Sequence, residues 1–143
     1  MQDIIARLTA KDDKAAYEYA KQIGAESAES DKYLSMISIF ADLLVHKSSF
    51  VRTRGFVLIC NQSRWAVDSQ LEEVFPQMMP LLNDPKPTVV RQCLAALHEV
   101  VLFRPEMVRK IENAVDEIDL AKYKDSMTPL IQKDIDALKK IMG

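Results

Sequence analysis

Along residues 33–46, apolar side chains recur at helical spacing. Leu34, Ile37, Ala41 and Leu44 form one stripe, with Met36, Phe40 and Leu43 beside it. A face that wide predicts a helix covered by neighbours on two sides. Residues 71–83 repeat the arrangement with Leu71, Val74, Phe75, Met78 and Leu82, and residues 89–103 with Val90, Cys93, Leu94, Leu97 and Val101. A narrower stripe at Ile131, Ile135, Leu138 and Met142 leaves lysines and aspartates on the remaining surface, so the last helix is expected to expose its back. Residues 2–28 supply a short helix and a longer one whose face is Ala16, Tyr19, Ala20 and Ile23. Strict alternation never persists for more than a few residues, so the pattern predicts an all-α fold.

Helix boundaries are written between these stripes. Asn83-Asp84-Pro85-Lys86-Pro87 cannot continue a helix, because each proline removes an amide donor and disfavours helical geometry in the residue before it. Thr128 before Pro129 reads as an N-cap with proline in the first turn, and Arg104 before Pro105 marks another start. Gly24 is expected to loosen or end the second helix. Of the two prolines within 71–83, Pro76 is expected near the helix start and Pro80 at a kink.

An internal repeat organises these elements. Placing Val51-Arg52 on Val90-Arg91 superposes two segments at an offset of 39 residues, which also brings Ile39 onto Met78, Phe40 onto Met79, Leu43 onto Leu82 and Leu58 onto Leu97. Repeats of paired helices have periods of roughly 40–47 residues. With its proline-containing first helix, its Asp84-Pro85 turn and Val90-Arg91 opening an Ala/Leu-rich second helix, the chain resembles the HEAT repeat family, and as a whole it looks like small bacterial HEAT-type proteins. The resemblance implies a right-handed α-solenoid of about four antiparallel helix pairs, divided at 1–28, 29–66, 67–104 and 105–143. The end pairs are atypical, as caps must be. In the family the turn aspartate and the arginine of successive units form a ladder. Here Val45 stands where the earlier unit would carry that aspartate, and Arg52 persists alone.

Composition adds limits more than direction. A chain of 143 residues, 48% hydrophobic and 28% charged, with three glycines, suits one globular domain that buries about 68–70% of its unfolded surface. No apolar run is long enough for a secretion signal or a membrane span, so a cytoplasmic protein is expected. Cys60 and Cys93 lie in separate apolar stripes and are expected to be buried, unpaired thiols. The net charge of −2 is uneven: residues 1–46 carry −3, residues 47–110 carry +3 and residues 111–143 carry −2.

Catalytic chemistry has no foothold in this sequence: there is no Gly-rich phosphate loop, nucleophile elbow, HExxH or CxxC. His46 and His98 read as capping or packed imidazoles, and the carboxylates at Glu72-Glu73, Asp116-Glu117 and Asp134/Asp136 as solvated helix faces. No catalytic residue, metal or cofactor is expected. The basic middle holds Arg54 and Arg64, ten residues apart, which on one helix is nearly three turns and returns to about the same side, with the lone tryptophan, Trp65, next to the second. The family resemblance implies a concave face of second helices that binds a protein or peptide. Its contact candidates are Arg54, Asn61, Arg64, Trp65, Arg91, Gln92 and Arg104, facing a partner with acidic groups, and the protein itself is expected to be a monomer or weak dimer. The alternative is a nucleic-acid binder related to DNA alkylation repair proteins, in which the same arginines grip phosphates, Trp65 stacks on a base and Asp68 is the nearest carboxylate. The acidic flanks disfavour it, and no motif surrounds Asp68.

Overall fold

The computed structural model describes residues 2–67 and 69–143, so Asp68 lies outside the described residues. Among them are helices and no strand: α1 (Gln2–Leu8), α2 (Asp13–Ser27), α3 (Ile37–Asp42), α4 (Ser49–Cys60), α5 (Gln70–Met78), α6 (Pro87–Phe103), α7 (Val108–Asp116) and α8 (Thr128–Met142). Short 3-10 turns at Leu34–Met36, Leu43–Val45 and Met79–Asn83 extend α3 and α5. No helix is long and apolar enough to cross a membrane.

Packing follows the stripes. α2, α4, α6 and α8 lie side by side in that order, while α3 packs on α4 and α5, and the 79–83 turn packs on α6 and α7. One continuous core runs through them, with Phe40, Phe56, Leu58, Leu94, Leu97 and Ile131 at or near zero exposure. Each such side chain contributes roughly 1.5–3 kcal/mol relative to an exposed one. Gly55 sets how closely α3 and α4 approach: a Cβ there would stand 2.7 Å from the Phe40 carbonyl oxygen and 2.9 Å from the Leu43 Cβ. Cys60 and Cys93 are buried and free, and burial pushes both thiols well above their usual range.

Several boundaries differ from the sequence expectation. α2 runs through Gly24 to Ser27, because the glycine serves close approach, with the Asn61 Oδ1 only 3.1 Å from where a Cβ would be. Pro76 falls late in α5, and Pro80 sits where the α-helix tightens into 3-10 geometry. Thr128 does not cap α8. Its hydroxyl donates backwards to the Lys124 carbonyl at 3.2 Å. α2 is capped by Asp12, whose Oδ1 accepts from the Ala15 amide at 3.1 Å.

The arginine left alone in the earlier unit has a carboxylate after all, supplied by the following turn. Arg52 grips Asp84 through two parallel bonds, Nε to Oδ2 at 2.8 Å and Nη2 to Oδ1 at 3.0 Å. Its Nη1 also donates to the carbonyls of His46 and Lys47 at 3.0 and 3.1 Å. Asp84 is 5% exposed and also accepts from the Lys86 amide at 2.9 Å. The Tyr123 hydroxyl closes the turn on the Asp84 carbonyl at 2.7 Å; burial, with the Asp84 charge adding to it, pushes the phenol up to about 12. Arg91 pairs analogously with Asp134, Nε to Oδ2 at 2.7 Å, although Asp134 comes from α8 and not from a turn. Val45 is 86% exposed and takes part in no such clasp.

Candidate binding groove and the arginine seam

The C-termini of α2, α4 and α6 meet along one edge of the molecule. The last carbonyls of a helix have no intrahelical partner and carry the negative end of its dipole, so cations and N–H donors gather there. Arg64 donates from Nη1 to the Ala28 carbonyl at 3.0 Å, and its guanidinium lies 4.5 Å from the Phe103 ring centroid. The Trp65 Nε1 donates to the Ser27 carbonyl, and Gln62 bonds the Ser27 hydroxyl at 3.0 Å. Arg104 donates from Nε to the Ser63 carbonyl at 2.8 Å. These contacts sew the ends of successive helices together.

Arg54, expected on the surface with Arg64 and Trp65, is buried, with only 6% of its side chain exposed. It donates to the Leu8 carbonyl at 3.0 Å and to the Asp13 carbonyl and carboxylate at 3.2 and 3.1 Å, joining the end of α1 to the start of α2. Arg64 does not share a helix with it, since α4 ends at Cys60 and a run of turns follows. The single face holding Arg54, Arg64 and Trp65 is therefore not formed. Arg91 faces α8. His46 accepts the Ser48 amide on Nδ1 at 3.0 Å, a capping contact.

Of the sequence-derived contact residues, Arg54, Asn61 and Gln92 do come together, as parts of a groove of about 670 Å³ between α2, α4 and α6. The wall from α2 carries Lys14, Tyr17, Ala20 and Lys21; the floor from α4 carries Phe50, Thr53, Val57 and Leu58 beside Arg54 and Asn61; the wall from α6 carries Thr88, Val89 and Gln92. Tyr17 and Phe50 are 53% and 61% exposed, large rings left in water at the same opening. The Lys21 ammonium sits 5.0 Å from the Tyr17 centroid. At the far end, the Asn61 side-chain amide donates to Glu99 at 2.8 Å.

Lys14, Tyr17, Lys21 and Phe50 were not singled out from the sequence. Tyr17 had a readable signal, because it falls off the buried stripe of α2 marked by Ala16, Tyr19 and Ile23 and lies between lysines three residues before and four after. Phe50 had none, as it sits next to Val51 and two adjacent apolar residues do not show which of them faces the core. The arginines had a signal pointing the other way: Arg104 follows directly on the end of α6 and Arg64 lies four residues past the end of α4, near helix ends where carbonyls await donors. Among the described residues no group of three or more His, Cys, Asp or Glu could hold a metal ion. No family model, curated protein or solved structure matches the chain.

Proposed function

We propose that this chain is a non-catalytic adaptor of the HEAT type. In this reading it is a right-handed solenoid of about four helix pairs whose second helices, α2, α4, α6 and α8, form a face that holds a segment of another protein in the cytoplasm. The side-by-side order of those four helices supports the solenoid reading, as does the clasp of Arg52 on Asp84 across successive pairs. The observation that carries the binding reading is the groove across α2, α4 and α6, at whose opening lie Tyr17 and Phe50, the two aromatic side chains among the described residues that are more than half exposed. Aromatic rings in a concave, partly dry site are where binding energy concentrates. The nucleic-acid alternative loses the arginines it relied on, since Arg54, Arg64 and Arg104 donate to main-chain carbonyls.

Affinity capture from cytosol, run in parallel with the intact protein and a Phe50→Asp variant, tests this. A protein retained by the first and lost by the second supports the groove. Equal retention by both, or recovery of nucleic acid that salt removes, defeats it.

A further inference from the structure

The two walls of the groove differ in charge. On α2, Lys14, Tyr17 and Lys21 follow at helical spacing and so share one face, the two lysines about 10 Å apart at a rise of about 1.5 Å per residue. Across the groove, Thr88, Val89 and Gln92 carry no charge. The one guanidinium in the floor, Arg54, is answered by Asp13 at 3.1 Å. Lys21 reaches Glu18 only at 3.7 Å, and both ends of that pair are more than half exposed, so the contact is worth little. The groove therefore keeps a surplus of positive charge on one wall, around exposed rings, in a chain whose net charge is −2.

We propose that the groove takes a peptide segment in which a large apolar side chain lies between two carboxylates, the carboxylates meeting Lys14 and Lys21 and the apolar side chain covering Tyr17, Phe50 and Val57. This rests on the reading of the groove as a protein-binding face. Each contact supplies a different quantity. Removing two half-exposed rings from water provides most of the affinity. The lysines fix direction and raise the association rate, and they do so in a salt-dependent way. In a segment of polyproline II geometry, residues three apart return to the same side about 9 Å apart, which matches the two lysines. A uniformly acidic stretch would leave the rings wet, and a basic segment would meet the like charges of Lys14 and Lys21.

Fluorescence anisotropy with three pools of short labelled peptides tests this. In the first pool Leu or Phe lies between two glutamates spaced three residues apart; in the second, lysines replace the glutamates; in the third, serine replaces the apolar residue. The intact protein is expected to bind the first pool, and to bind it less tightly as salt shortens the screening length from about 8 to about 3 Å. Lys14→Glu combined with Lys21→Glu should weaken that binding roughly tenfold and transfer preference to the second pool. Phe50→Ser should abolish binding by either, with an unchanged helical spectrum as the check on folding. Any one of the following outcomes overturns the inference. If the second pool binds the intact protein best, or if the lysine double variant binds the first pool unchanged while Phe50→Ser does not, the acidic specificity is wrong and the groove reading stands. If no pool binds, or Phe50→Ser changes nothing, the groove reading itself falls. Displacement of the first pool by a single-stranded oligonucleotide would move the site to nucleic acid.

Discussion

At the seam, Arg64 and Arg104 lie beside Trp65 and Phe103; in the groove, Lys14 and Lys21 lie beside Tyr17 and Phe50. Both regions pair cations with rings, and in sequence the seam looks the richer of the two. The difference lies in where the donors go. The seam arginines each donate to a main-chain carbonyl, one at the end of α2 and one in the turn after α4, so each guanidinium is anchored inside the molecule. The groove lysines stand in water and their neighbouring rings have no cover. Counting arginines and a tryptophan thus locates where helices are joined, whereas a solvent-exposed cation next to an uncovered ring locates where something else can bind.

Five changes break or sharpen this contrast. The largest effect is expected from deleting residues 128–143. α8 covers α6 through Ile131, Ile135 and Leu138 and holds Arg91 through Asp134, so its loss should turn a clasped face into an exposed apolar one. Loss of a cooperative melt and growth of aggregates by light scattering are the expected readouts. Arg52→Ala comes next. It leaves the Asp84 carboxylate 5% exposed with only an amide for company, and should cost about 3–4 kcal/mol in urea unfolding.

Arg54→Ala is expected to cost less, about 2–3 kcal/mol, because the Leu8 carbonyl loses a charged donor while the Asp13 carboxylate, 51% exposed, simply returns to water. A loss below about 0.5 kcal/mol would return Arg54 to the ranks of surface residues. Trp65→Phe keeps the ring and removes one N–H donor to the Ser27 carbonyl, so a loss of about 1 kcal/mol is expected. At the small end, Lys14→Glu with Lys21→Glu should leave the melting temperature within roughly 2 °C of the parent. A large drop would mean that the groove lysines are structural as well, and the contrast between the regions would vanish.

The legible part of the fold came from periodicity. The stripes at 33–46, 71–83 and 89–103 each became a helix or a helix extended by a tight 3-10 turn, since burying a wide apolar face leaves few alternatives. The prolines after Asn83 ended the preceding element at Asn83, and both cysteines were buried and free. Gly24 was misread because glycine has two uses, breaking a helix and admitting a close neighbour, and only the position of Asn61 distinguishes them. The missing turn aspartate at Val45 suggested an isolated Arg52, yet the carboxylate lay 32 residues downstream in the next turn.

By itself the sequence determined that this chain is helical, where most helices begin and end, and which side chains leave water, because those properties depend on neighbours three and four residues away. What only the tertiary structure decided is which cations remain available. Arg54 finds its partners more than forty residues away at Leu8 and Asp13, and Arg64 finds Ala28 at a distance of 36 residues. Whether a guanidinium ends in water or on a carbonyl is settled by which helix ends meet, and no local pattern encodes that meeting. The groove has the same origin: Tyr17 on α2, Phe50 on α4 and Gln92 on α6 become one surface only when three helices pack side by side.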